Sequence, residues 1–278
     1  MKQKTFILGV GAQKAGTSWL RGYLDERPDS DMGFTKEYHI FDALTLNASL
    51  GFKKQVFNNA AKIAQLDPQV KNPQEFARLF AFLVDPNLYF DYFVARLWHQ
   101  NTYITGDFTP AYAGLDEEAL TFINTQFQNR GITVKPIFIM RDPVQRLRSM
   151  VLSQFKKQNA KPNTAQLFAE MEHLQKTKWE SLRSDYKSTI QRLENVFGEN
   201  VFFGFYENLF SKNTIVSLCD FLQVEYHEPD FHRRINANDV NVNLTESEIQ
   251  SFRMTYRETY SFVTSHFRQT PVPELWQQ

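Results

Sequence analysis

The chain has 278 residues, 42% hydrophobic and 15% aromatic with 26 Phe, which is enough for one large α/β domain or two small ones with a substantial core. Lys plus Arg equal Asp plus Glu at 31 each, so no global field recruits nucleic acid or an anionic membrane. A polyanionic partner would need a local basic patch. The first stretch with structure written into it is Thr5 to Leu20, TFILGVGAQKAGTSWL. Phe6, Ile7, Leu8 and Val10 form a short β-prone run suited to an interior strand of a parallel sheet. Gly9 and Gly11 then let the backbone turn, and Gly16 lets it approach an anion without a Cβ in the way. Thr17 or Ser18 opens a helix through Trp19, Leu20, Tyr23 and Leu24, whose free N–H groups and positive dipole end suit a phosphate or sulfate. Lys14 adds a full charge inside that loop.

A Walker A loop places its lysine directly after the last glycine, whereas here Thr17 follows Gly16 and Lys14 stands two positions before it. That displacement argues against an ATPase. The pattern QKAGTSWL resembles the 5′-phosphosulfate loop of sulfotransferases that use 3′-phosphoadenosine 5′-phosphosulfate (PAPS) as donor. The resemblance implies that Gln13, Lys14, Ala15, Gly16, Thr17, Ser18 and Trp19 bind the nucleotide and that Lys14 is also catalytic. After a break at Pro28, Asp29 and Ser30 comes GFTKEYHIFDAL, in which Lys36, Glu37, His39 and Asp42 stand among Phe34, Tyr38, Ile40 and Phe41. Charged groups held between rings read as the wall of a site. The order K-E-x-H-x-F-D resembles the segment after the phosphosulfate loop in heparan-type and many bacterial sulfotransferases. Glu37 is by that resemblance the catalytic base, with His39 and Asp42 supporting it. His39 is the second candidate for base, because its ordinary pKa lies nearer neutrality. Lys36 is a candidate acceptor contact.

From Leu46 to Arg96 a mostly helical reading is punctuated by Pro68, Pro73 and Pro86 at helix starts or connections. Tyr103, Ile104 and Thr105 form a strand ending at Gly106 and Asp107. Strand carboxyl ends line the ligand crevice of a parallel sheet, so Asp107 and Thr109 should face it; Asp107 could equally cap the next turn. Thr109, Pro110 and Tyr112 match the family's E-x-T-P-x-Y segment, although Phe108 stands where the heparan 3-O enzymes carry a lysine. A helix from about Asp116 to Gln128 precedes VKPIFIMRDPVQRLRSMVLSQF. There Pro136 to Met140 is a buried strand, Asp142 a cap, Pro143 a first helical residue, and Val144, Leu147, Val151 and Phe155 the sheet-facing stripe. Arg141 at the strand end and the helical hydroxyl of Ser149 can bind a terminal phosphate, and R-D-P-x-x-R with that serine resembles the family's 3′-phosphate site.

Polar helices from Thr164 to Asn200 are followed by the strand NVFFGFYENL, ending at Tyr206 and Glu207, and by a helix that starts at Ser211. The Y-E-x-L element resembles a strand end with an architectural role in the same family. Arg234 and Asn236 lie where family members bind the nucleotide with a basic loop, and the heparan enzymes' K-G-R is absent. Thr245 with Glu248 makes a capping box for a last helix carrying Ile249, Phe252, Tyr256, Tyr260, Val263 and Phe267.

One cysteine, Cys219, allows no intrachain disulfide and reads as a core thiol. The six histidines show no metal-ligand spacing, so no metal site is expected. The N-terminal apolar run is too short for a signal peptide and no run approaches ~18 apolar residues, so a cytoplasmic protein without a membrane span is expected. Alternating strands and helices give a single α/β domain over 1–278, with a central, mainly parallel sheet flanked by helices. The resemblance implies the P-loop-like sulfotransferase fold and transfer of a sulfuryl group from PAPS to an acceptor hydroxyl, less readily an amine. The product would be adenosine 3′,5′-bisphosphate, and the scheme needs no metal. A small-molecule or saccharide acceptor is expected. A P-loop nucleotide kinase and a non-catalytic nucleotide-binding protein are the alternatives.

Overall fold

The apolar run Thr5–Gly11 forms strand β1, and each of its residues is buried, as in a parallel sheet covered on both faces. The computed structural model describes residues 2–99, 101–233, 235, 242–267 and 272–277. Strand β1 pairs in parallel with β2, Ile104–Phe108, from Thr5 opposite Ile104 to Gly9 opposite Phe108. On its other edge it pairs in parallel with β3, Thr133–Met140, from Thr5 opposite Thr133, with an irregularity between Gly9 and Gly11. A short fourth strand, β4, Phe202–Phe205, completes the order β2-β1-β3-β4. Gly9 serves packing rather than the turn: a Cβ there would lie 2.4 Å from the buried ring of Phe108. The turn itself begins at Gly11, with φ 138°.

The helices follow in chain order. They are α1 Thr17–Asp25, α2 Ile40–Thr45, α3 Leu50–Ala64, α4 Pro73–Val84, α5 Pro86–Leu97, α6 Glu117–Gln128 and α7 Pro143–Lys157. Then come α8 Thr164–Gln175, α9 Lys178–Ser184, α10 Tyr186–Phe197, α11 Tyr206–Leu209, α12 Lys212–Leu222, α13 Glu246–Thr255 and α14 Arg257–His266. Their starts obey capping chemistry. Asp116, Asp142 and Ser211 each accept a backbone N–H of the first turn, and Pro73, Pro86 and Pro143 stand in first turns. Two expectations change. Tyr206 and Glu207 open the one-turn helix α11 rather than ending a strand, and the last helix breaks at Tyr256 into α13 and α14.

Contacts group the chain into two compact units interleaved in sequence. The first comprises Met1–Gly11, Leu20–Phe138 and Arg192–Phe202. Its core is aromatic: Phe6 stacks on Phe127 at 4.0 Å and meets Phe93 edge-on at 4.9 Å, with Tyr89 4.8 Å from Phe93. The second comprises Ala12–Trp19, Ile139–Gln191 and Phe203–Gln278. It holds a buried ion pair of Arg146 with Glu180, in which Ser184 accepts from Arg146 at 2.8 Å and donates to Glu180 at 2.9 Å.

Candidate functional site

In the first unit the KEYHIFD segment draws four charged side chains into one array. Lys36 Nζ donates to Glu37 Oε1, and the other oxygen of Glu37 lies 3.2 Å from His39 Nε2. His39 Nδ1 lies 2.8 Å from Asp42 Oδ2, which also accepts from Ser49 Oγ at 2.6 Å. A ring with a carboxylate on each nitrogen donates from both, so His39 is an imidazolium here. Burial works to lower its pKa, but the hydrogen bonds to Asp42 and Glu37, with their charges, outweigh it and lift it to about 10. Burial likewise works to raise Glu37, but the His39 hydrogen bond and the Lys36 ammonium hold it down at about 2. The carboxylate is therefore ionised at neutral pH, and the imidazole has no lone pair to accept a proton. The Phe52 ring of α3 lies 4.8 Å from the His39 ring.

In the second unit the loop after β1 turns through Lys14, at φ 67°, and Gly16, at φ 81°. Gly16 is required twice over: its backbone is left-handed, and a Cβ would lie 2.6 Å from Leu209 and 3.2 Å from Tyr206. Arg141, at the end of β3, donates from Nη1 to the Lys14 carbonyl at 2.8 Å, joining two motifs 127 residues apart. Its guanidinium lies 4.2 Å from the Tyr206 ring. The turn after Arg141 is pinned as well. Glu207 accepts from the Asp142 N–H at 2.9 Å, and the Asp142 carboxylate takes Gln145 N at 2.9 Å and Tyr260 Oη at 2.7 Å. The Y-E-x-L residues thus wall the loop at Gly16 and hold the start of α7. Ser149 is half-buried on α7. Its neighbour Arg148 donates to the Val242 carbonyl at 2.7 Å. Burial, and after it the charge of Arg141, lowers the Arg148 pKa. Arg148 thus adds a second partly desolvated cation in the field of Arg141, chemistry suited to an anion. The α1 N-terminus stands in the same loop, and Gln13 carries a buried Oε1 without a hydrogen-bond partner among the described residues.

Of seven described non-glycine residues at positive φ, three are Asn, and Leu66 and Gln223 end helices. The other two, Lys14 and His39, are the central residues of the two arrays. A left-handed non-glycine residue costs of order 1–3 kcal/mol and persists only where its surroundings hold it.

Three expected roles change. Asp107 and Thr109 do not face a crevice: both are 0% exposed and spend their polar atoms inside the first unit. Asp107 Oδ2 accepts from Tyr89 at 2.9 Å and Tyr112 at 2.8 Å, and Thr109 donates to Oδ1 at 2.6 Å. An acceptor contact at either is excluded by burial. Trp19 is 4% exposed, its indole N–H given to the Asp230 carbonyl at 3.3 Å and its ring set against Phe210 and Phe231. It anchors the loop, leaving only its backbone near the helix start. Arg234 and Asn236 lie outside the described residues. Sequence reasoning passed over Arg148, although it directly precedes Ser149 in RLRS and could have been read as a second cation for the same anion. Among the described residues no group of three or more His, Cys, Asp or Glu is placed to hold a metal, and no helix is long and apolar enough to cross a membrane.

No protein-family model and no curated protein matches the chain. Solved structures do. A sulfotransferase from Alicyclobacillus acidocaldarius superposes over 100% of both chains with a TM-score of 0.62 at 14% identity. The sulfotransferase domain from the curacin biosynthetic pathway aligns over 95% of this chain and 98% of its own, at TM-score 0.46 and 14% identity. The first of these shows that the chain has a sulfotransferase fold, with a central parallel sheet flanked by helices.

Proposed function

We propose that this protein is a sulfotransferase, moving a sulfuryl group from PAPS to an acceptor hydroxyl. The observation that supports the reading is the hydrogen bond from Arg141 to the Lys14 carbonyl, which brings together the two motifs assigned to opposite ends of the nucleotide. The donor set fits a polyanion: Lys14, Arg141 and Arg148 supply charge, and the first turn of α1 supplies backbone N–H groups. Lys14 and those N–H groups would take up the charge that grows on the leaving 5′-phosphate as the S–O bond breaks; Arg141, Arg148 and Ser149 would hold the 3′-phosphate.

The acceptor proton goes to Glu37. His39 is set aside as base because the carboxylates on both its nitrogens hold its proton; its work is to orient Glu37, with Asp42 behind it. A carboxylate at about 2 is a poor base until a cation leaves it. Lys36, on a flexible stem and paired with Glu37 Oε1, is the cation whose departure would raise the basicity of that carboxylate. The aromatic, charge-neutral chain favours a small or amphipathic acceptor over a polyanion.

The test is release of adenosine 3′,5′-bisphosphate and transfer of label from ³⁵S-labelled PAPS across a panel of sugars, phenols, steroids and amines. Transfer is expected, independent of added magnesium, and lost in Glu37→Gln with donor binding retained. Magnesium-dependent ATP hydrolysis without any sulfuryl transfer would overturn the reading in favour of a P-loop kinase or nucleotidase.

A further inference from the structure

Helix α2 begins directly after His39, and its first N–H groups have no carbonyl one turn back to bond. The residue at the cap is of no help: His39 sits at φ 53°, ψ 36° and makes no side-chain cap. The donors of Tyr38, His39 and Ile40 go elsewhere. Thr109 Oγ1 accepts from Tyr38 N at 3.0 Å and from His39 N at 3.3 Å, and Tyr112 Oη accepts from Ile40 N at 3.3 Å. Both hydroxyls give their own proton to one carboxylate, that of Asp107.

A hydroxyl has one proton and two lone pairs, and which faces the backbone depends on where the proton is spent. Asp107, accepting on both oxygens, forces both protons toward itself and so turns the lone pairs of Thr109 and Tyr112 toward three successive N–H groups. Tyr89 fills the remaining side of Oδ2. We propose that Asp107 is a positioning residue for the Glu37–His39–Asp42 array, acting through the hydroxyls of Thr109 and Tyr112 on the backbone of residues 38–40. It touches no reacting atom. Without it the two hydroxyls are no longer held with their lone pairs toward the backbone, the left-handed turn at His39 loses these acceptors, and the imidazole shifts from the line between its two carboxylates.

The inference rests on the sulfotransferase reading only for its kinetic arm. Asp107→Asn keeps the shape but replaces one acceptor by an NH₂ donor, so at least one hydroxyl must turn its proton toward the backbone. It is expected to lower kcat by about 10²-fold, the scale of a small misplacement at a reacting group, with KM for PAPS changed less than about 3-fold. Thr109→Val should fall in the same way, and Thr109→Ser, which keeps the hydroxyl, should stay within about 3-fold of wild type. A structural role alone would not move the spectroscopic arm: in ¹⁵N-detected NMR the His39 ring, doubly protonated at neutral pH in the wild type, should titrate near its ordinary ~6.5 in Asp107→Asn and Thr109→Val. That measurement stands even if the protein transfers no sulfuryl group. The proposal is overturned if either variant, folded by circular dichroism and binding adenosine 3′,5′-bisphosphate normally, keeps the wild-type His39 titration. It is also overturned if Thr109→Ser fails as badly as Thr109→Val. Should Asp107→Asn not fold, the Thr109 pair decides.

Discussion

Removing the Arg141 side chain separates its two tasks. In Arg141→Ala the Lys14 carbonyl loses a charged donor at 2.8 Å and Tyr206 loses the guanidinium 4.2 Å from its ring. A hydrogen bond to a charged group contributes about 1.5–3 kcal/mol. The loop at Lys14 therefore loosens for every nucleotide with a 5′-phosphate, and adenosine 5′-monophosphate should bind more weakly. Adenosine 3′,5′-bisphosphate should lose that and also the 3′-phosphate contact proposed for Arg141, a second ~1.5–3 kcal/mol, or about 10- to 150-fold in Kd beyond the loss for the monophosphate. Arg141→Lys retains charge but neither the fork nor the ring contact, so it should recover only a minor part. Isothermal titration of both nucleotides against wild type and both variants gives the two losses directly. An equal fold-loss for the two would refute the 3′-phosphate assignment, and an unchanged monophosphate affinity would refute the anchoring of Lys14.

Other expectations are as concrete. Lys14→Ala should reduce turnover by roughly 10²-fold or more, the loss seen when one donor to a developing oxyanion is removed, and a wild-type rate would take Lys14 out of the chemistry. Gly16→Ala should be destabilised by at least the ~1–2 kcal/mol of a left-handed alanine, with more from the 2.6 Å approach to Leu209, read as a lower urea midpoint at unchanged m. Removing one partner of the buried Arg146–Glu180 pair, as in Glu180→Gln, should cost about 3–5 kcal/mol, whereas an apolar replacement of both should cost much less. The Glu37–His39 pair sets a pH window. The raised His39 pKa contributes stability that is full below about 6.5 and lost as pH climbs toward 10, and the depressed Glu37 pKa contributes stability that is full above about 4.5 and lost as pH falls toward 2. Urea midpoints of wild type minus His39→Asn should peak between those limits; a difference flat from pH 4 to 10 would contradict the pairing.

Much of this molecule is legible residue by residue. The β1 run, the glycine loop, the Asp142–Pro143 start of α7, the Asp116 cap of α6 and the Thr245–Glu248 box each place apolar run, cap and turn within a few positions. Capping and turn chemistry acts over three or four residues, so the chain displays it without its tertiary partners. The loop after β1 and the charged KEYHIFD segment belong to that class.

What the chain alone could not decide is who is desolvated by whom. Asp107 looks like a strand-end carboxylate facing a ligand, and only Tyr89, 18 residues earlier, with Tyr112 and Thr109 around it, turns it into a buried hub. The protonation of His39 is of the same kind, since it turns on which carboxylates end up against the imidazole nitrogens at 2.8 and 3.2 Å. Local sequence determined where the strands, loops and helix starts fall, because those depend on backbone geometry and near neighbours. Protonation, burial and the division of labour among charged side chains were decided by tertiary structure, because solvation and Coulomb energies depend on distances through space that residue spacing does not record.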